Sequence, residues 1–370
     1  MAVTEGLLPD KELLDGKQLF GDLGDWISQA DLALLNLECP LTARGNPLAK
    51  TGPNLKGSPA ILPALKQAGF SLAGLANNHI LDYGPEGVQD TIDSLERHHI
   101  DYFGAGLSLK DAAKWSIQNI NGVRVAFCGM AEHEFSIAGS DNAGANPLDL
   151  ITFQRELDAN KGEYDVLIVL VHGGAEHYPY PTPNLQKTCR FLVERGASAV
   201  VCQHSHCVGC VEYHCDKPIV YGQGNFFFPK KRPVDQTWCQ GLILRLDFTV
   251  GSGLPTVWLE LLPVEQSGLS VDKMKPGESD KTLKGVETRS TEILDDNFVS
   301  EEWARCCSSK MDQYLPLLLG YGRIRRRVHR LVRGENSYKK KKVFQTLQNI
   351  FSCESHHETV LTILKSINKS

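Results

Sequence analysis

The chain has 370 residues, 42% hydrophobic and 22% charged, with a formal charge of −5, the balance of a soluble globular protein that can bury a sizeable core. So mild a charge excludes a chain-wide grip on a polyanion, and no specific nucleic-acid partner is expected. The eleven cysteines are scattered and often sit in apolar runs such as VRVAFCGM, so they read as buried reduced thiols rather than a disulfide framework.

A reducing, cytoplasmic location is therefore expected. The N-terminus, MAVTEGLLPDKELLDG, lacks the basic and apolar regions of a signal peptide. The run DVLIVLV is far short of the ~20 residues that span a bilayer. An upstream targeting segment is the alternative.

Apolar runs predict strands at 32–38, 71–76, 123–130, 165–172, 198–203, 218–228 and 241–248, with a last one around TVWLELLPV. Helices are predicted over 58–69, 84–100 and 182–196, the last ending at Gly196 as helices commonly do. Strands alternating with helices predict a layered α/β core, and the later strands, following one another without helices, predict an antiparallel portion. The polar, Gly- and Pro-bearing stretch 264–290 reads as a linker. It separates a domain over 1–263 from a basic helical extension over 291–370.

Metal-ligand residue types fall at strand ends. Asn36 and Glu38 are two apart and share one face of their strand. The next strand runs into Asn77, Asn78 and His79. DVLIVLV runs into His172, with Glu176 shortly after, and SAVVC runs into His204 and His206. Each cluster alone is a weak signal, but four in one α/β core, at the strand ends where such sheets usually bind ligands, point to a shared metal site. A carboxylate can bridge two divalent ions while imidazoles and an amide oxygen complete their shells. Such a pair activates water for hydrolysis, and the mixed N and O donors suit Mn, Fe or Zn.

The stretch CQHSHCVGCVEYHC raises a structural zinc knuckle as the competing reading. Cys207 and Cys210 form a C-x2-C, but a second ligand pair at close spacing is missing.

The motifs NLECPLT, LANNHILDYGPEGVQDTIDSL, VHGGAEHYPYPTP and HSHCVGCVEYHCDKPIVYGQGNFFF, in that order, resemble the bacterial capsule-synthesis protein CapA family. That family is related to poly-γ-glutamate synthesis accessory proteins and is similar to calcineurin-like metallophosphoesterases. The likeness runs from about residue 18 to 248. It implies a four-layer α/β/β/α sandwich with a dimetal centre. By matching position it makes Glu38 the bridging ligand, gives Asn78, His172 and His204 to one ion, and His206 to the other. His79 is the residue implied to protonate a leaving group or steady an oxyanion. Asp82 would orient it, Glu176 would orient a ligand, and Asn225 of GQGNFFF would line the same edge.

One departure stands out. The family opens on a strand ending in a Gly-Asp whose Asp is a ligand. No apolar strand precedes residue 18, and Gly21-Asp22 lies in a stretch that feeds the first strand. A vacant sheet position and an impaired second metal site are expected, with His206 the least secure ligand. Residues 323–342, RIRRRVHRLVRGENSYKKKK, carry six arginines and four lysines against one glutamate. They read as a solvated helix face or as a contact with a polyanion or an anionic membrane surface. The expected function is a metal-dependent hydrolase acting on a phosphorylated small molecule or an anionic polymer in capsule or envelope synthesis. The alternative is a non-catalytic accessory or polymer-binding subunit, and a peptidase-like role on γ-linked glutamate is a third reading.

Overall fold

The computed structural model describes residues 1, 15–229, 236–251 and 255–311, with positions 314, 347, 351, 356, 357 and 360. The basic segment 323–342 lies outside them. The chain divides into two compact units, Met1–Trp303 and Ala304–Ser370, and every strand among the described residues belongs to the first.

Three parallel strands, β1 (Ala33–Asn36), β2 (Phe70–Gly74) and β3 (Asp101–Phe103), form one sheet in that order. Two dipeptide strands, β4 (Ala105–Gly106) and β7 (Gly144–Ala145), pair with each other. The largest sheet uses β5 (Ser116–Ile120), β6 (Val123–Ala131), β8 (Val166–His172), β9 (Ala199–Gln203), β10 (Val208–His214) and β11 (Lys217–Gln223), in the order β10-β11-β9-β8-β6-β5. Its four central strands are parallel and its two edges antiparallel. A final antiparallel sheet contains β12 (Gln240–Thr249), β13 (Thr256–Ser267) and β14 (Ser270–Lys273).

The helices are α1 (Gly16–Ile27), α2 (Leu62–Gln67), α3 (Gly84–Arg97), α4 (Leu109–Ala112), α5 (Leu150–Ala159), α6 (Pro183–Glu194), α7 (Pro276–Glu292) and α8 (Asp296–Ser309). Their placement follows from the two-residue period of the strands. Along β8, which is buried throughout, Leu167, Val169 and Val171 pack with Phe153 of α5 and with Cys189 and Leu192 of α6. The alternate residues Val166, Ile168 and Leu170 pack with Leu72 of β2 and Phe103 of β3. Side chains of successive strand residues point to opposite faces, so β8 contributes to two cores. The first sheet is covered on its other side by α1, α2 and α3, through Phe20, Leu65 and Val88. The result is the expected four-layer α/β/β/α sandwich.

The stretch 264–290, expected to link two domains, is instead built into the fold. It holds the end of β13, all of β14 and most of α7. Its polar composition hid the helix because only Val286 of α7 is buried. Polar contacts hold α7 in place: the Arg289 guanidinium donates to the carbonyls of Gly209 and Val208, and Ser290 Oγ accepts from Val211 N–H.

Among the described residues β1 pairs on one edge with β2, and β12 on one edge with β13. Leu32–Asn36 on the β1 side and Leu242–Phe248 of β12 line one groove, and Gly241 of β12 is bridged to Gly224 at one end. No helix of the described residues is long and apolar enough to cross a membrane.

Candidate metal centre

The C-terminal ends of β1 and β2 in one sheet meet those of β8 and β9 in the other. Parallel strands put these ends on one edge of the sandwich, where the loops are free to carry polar groups. Glu38, Asn78, His79, His172 and His204 all sit there and all are buried.

Donor atoms of Glu38, His172 and His204 lie within 4.8 Å of one another, the group of metal-ligand residues found among the described side chains. His172 Nε2 is 3.8 Å from Glu38 Oε1 and 3.0 Å from Asn78 Oδ1. His206 Nε2 approaches the same Glu38 oxygen from another side, at 3.7 Å. A cation held at about 2.1 Å by two ligands keeps them roughly 3–4 Å apart, so these spacings fit a shared ion. Glu38 Oε1, His172 Nδ1 and His204 Nδ1 are buried without a hydrogen-bond partner. Leaving the Glu38 oxygen unmatched costs about 1–3 kcal/mol, a cost that an ion would offset.

The electrostatics agree with the geometry. Burial alone would raise the Glu38 carboxyl pKa, but His172, His206, the Met1 amino group and His79 outweigh it and hold the value at about 2. Burial pushes the His172 imidazole well below its usual value and lowers that of His206, in both cases against the pull of Glu38. A deprotonated carboxylate beside neutral imidazoles is the ionisation state that metal ligands need.

Neighbouring groups orient these ligands. Asn225 Oδ1 is 2.9 Å from His206 Nδ1, while Asn225 Nδ2 donates to the Trp238 carbonyl. With Nδ1 occupied in this way, Nε2 is left facing Glu38. Asn77 Nδ2 donates to the Leu37 carbonyl and Asn77 Oδ1 accepts from His79 N–H, which ties the β1 and β2 ends together. His204 and His206 have positive φ of 99° and 54°, a conformation worth about 1–3 kcal/mol of strain in a non-glycine residue and concentrated at functional sites.

His79 Nδ1 lies 2.6 Å from Asp82 Oδ2, an oxygen that also accepts from Leu55 N–H at 2.6 Å. Lys50 forms an ion pair with Asp82 Oδ1 and comes within 3.2 Å of His79 Nδ1. Asp82 is fully buried. Its grip on Nδ1 leaves Nε2 as the ring's exchangeable nitrogen, a tautomer inferred from this hydrogen-bond network.

Asn36 is drawn away from this cluster: its carbonyl accepts from the Met1 amino group and it lines the groove. Glu176 is exposed and close enough to act on His206 electrostatically. The four thiols of the cysteine-rich stretch do not gather. Cys202 and Cys210 are buried, with Cys202 Sγ lying 3.5 Å from Cys189 Sγ, while Cys215 is exposed.

Two participants are new. Glu134 lies 3.6 Å from His204 Nε2 through Oε1 and accepts from Asn78 Nδ2 through Oε2. It follows the apolar strand β6 as the other clusters follow theirs, and that placement was its signal. Lys50 sits in a loop with no periodicity around it and had none.

The sequence profile described as bacterial capsule synthesis protein PGA_cap matches residues 3–230. The chain is 31% identical over 229 residues to the capsule biosynthesis protein CapA of Bacillus anthracis, covering 60% of this chain and 54% of that one. It is 30% identical over 213 residues to the PGA biosynthesis protein CapA of Bacillus subtilis, covering 56% of this chain and 54% of that one. It thus spans about half the length of these curated relatives. A solved structure of a hypothetical protein from Thermus thermophilus overlaps 66% of this chain and 91% of its own, with a TM-score of 0.40 at 14% identity, too loose a likeness to argue from.

Proposed function

Because the chain belongs to the family of bacterial capsule synthesis proteins, we propose that it is a divalent-metal-dependent hydrolase of phosphoesterase type that works in the synthesis of a capsule or envelope polymer. The observation that carries this reading is the convergence of Glu38, His172 and His204 beside a buried His79–Asp82 pair. A pure scaffold needs no oriented imidazole next to a metal site.

Glu38, Asn78, His172 and His204 would hold one ion. His206, on the shared Glu38 carboxylate, would begin a second site with fewer ligands. The mixed nitrogen and oxygen donors suit Mn, Fe or Zn. When bound, such an ion supplies Lewis acidity and lowers the pKa of a water molecule. His79 acts through Nε2, giving a proton to the departing oxygen of the substrate. Asp82 holds the ring in the tautomer that makes this possible, and Lys50 fixes Asp82. The substrate is a phosphorylated small molecule or an anionic polymer, whose negative charge the ion would meet. The basic segment 323–342 is proposed to contact a polyanion or an anionic membrane surface.

The test is hydrolysis of generic phosphomonoesters and phosphodiesters by the Mn-loaded chain, with metal content measured in parallel. His79→Ala should keep its metal and lose about 10²–10⁴ in kcat, the usual worth of a general acid. No turnover by the metal-loaded chain, with capsule formation intact in a His79→Ala strain, would refute the hydrolase in favour of an accessory subunit.

A further inference from the structure

Two donors of the candidate centre can each present either of two atoms. An imidazole binds an ion through Nδ1 or Nε2, and an amide offers its oxygen only when its nitrogen is turned away. The partner of the other atom decides. In metal sites a carboxylate on the far ring nitrogen fixes both the tautomer and the orientation of the ring.

His204 and Asn78 share one such partner. Glu134 Oε1 lies 3.6 Å from His204 Nε2, and Glu134 Oε2 accepts from Asn78 Nδ2 at 3.3 Å. The opposite atoms of both side chains face the centre. His204 Nδ1 is buried without a hydrogen-bond partner. Asn78 Oδ1 is 3.0 Å from His172 Nε2, which itself lies beside Glu38 Oε1. Glu134 is not among the donors that lie within 4.8 Å of one another, so it stands beside the ion's shell and not in it.

The chain around Glu134 holds that carboxylate in place. β6 and β8 run parallel with Ala131 opposite His172, and Glu132 N–H donates to the His172 carbonyl. Ser136 Oγ donates to the Asn78 carbonyl at 2.6 Å. The turn carrying Glu134 is thus tied to His172 on one side and to Asn78 on the other. Glu132, two positions earlier, turns its own carboxylate to the Gly174 N–H. The Glu134 side chain is 41% exposed. It has room for the shift of roughly 0.7 Å that would bring Oε1 to ordinary hydrogen-bond length on His204 Nε2.

We propose that Glu134 is a positioning residue of the metal centre: it accepts from His204 Nε2–H and Asn78 Nδ2–H together, and so turns His204 Nδ1 and Asn78 Oδ1 to the ion. The proposal rests on the metal centre put forward above. One carboxylate serves both residues because its two oxygens accept and neither donates. Glutamine in its place would set an NH2 group against one of the two donors. Partners of this kind are worth about 10–100-fold in metal affinity.

The experiment measures the zinc affinity of the full chain by competition with a chromophoric chelator, counting the zinc that His172→Ala loses. The ring nitrogens of His204 are read by long-range proton–nitrogen correlation in the zinc-loaded, isotopically labelled chain, and identified by their loss in His204→Gln. The unmodified chain should show a protonated Nε2 and a zinc-bound Nδ1. Glu134→Gln should weaken zinc binding by about 10–100-fold and shift the His204 Nε2–H signal, while the metal-free chain melts as before. Asp141→Asn removes an exposed acid seven positions further along and should leave zinc affinity unchanged. Equal zinc affinity with and without Glu134, an equal loss in Asp141→Asn, or zinc on His204 Nε2 overturns the proposal. A lower melting temperature of metal-free Glu134→Gln makes the residue structural and overturns it as well. A chain that takes up no zinc removes the metal centre itself and the proposal with it, whereas a zinc-binding chain indifferent to Glu134 removes the proposal and leaves the centre standing.

Discussion

Replacing Lys50 with methionine tests the network behind His79. The Lys50 side chain is 3% exposed and its partner Asp82 is fully buried. Removing one member of a buried pair leaves the other charge uncompensated, at a cost of about 3–5 kcal/mol. Asp82 would keep two acceptor contacts at 2.6 Å, from Leu55 N–H and His79 Nδ1, which places the expected loss at the lower end, about 3 kcal/mol. With a urea dependence of about 3 kcal/mol per M, the unfolding midpoint should fall by about 1 M. Asp82→Asn should also destabilise. The double variant Lys50→Met/Asp82→Asn should cost less than the sum of the singles, by about 1–3 kcal/mol, because the two sites share one interaction. A midpoint shift under about 0.3 M for Lys50→Met, or strictly additive singles, would show that Lys50 does not neutralise Asp82.

Three further outcomes are expected. Adding Mn or Zn at about 100 times its Kd to chelator-treated protein should stabilise it by about 2.7 kcal/mol, and His172→Ala should abolish the rise in melting temperature. Equal melting with and without metal would contradict the site. A methyl group at Gly209 would lie 1.6 Å from the Tyr221 carbonyl oxygen, across the β10–β11 pair, so Gly209→Ala should destabilise by about 3 kcal/mol through backbone displacement. A melting curve like that of the unmodified chain would show that the two strands sit farther apart. Burial raises the thiol pKa of Cys128, Cys189 and Cys210 while Cys215 is exposed, so iodoacetamide followed by mass spectrometry should mark Cys215 in native protein. The three buried thiols should react only after unfolding, and their labelling under native conditions would argue for an open core.

Much of this was legible in the residues themselves. DVLIVLV announces β8 because a strand buried on both faces must be apolar at every position. Asn78, His172 and His204 announce themselves because each interrupts such a run at its end. Elements held by polar contacts were harder to read. Helix α7 buries a single valine, so its periodicity is faint and it passed for a linker. The predicted strand over 218–228 stops at Gln223 because Gly224 turns the chain with a φ of 66°.

Sequence alone determined the alternation of strands and helices and the donor types, since burial demands periodic apolar residues and metals demand particular side chains. Tertiary structure decided which donors meet. Lys50 reaches Asp82 from 32 positions away and Glu134 reaches His204 from 70 away, contacts that no local pattern encodes. Tertiary structure also set the edge of β1 opposite the edge of β12, because the pairing of strands depends on how whole sheets stack and not on the residues of either strand.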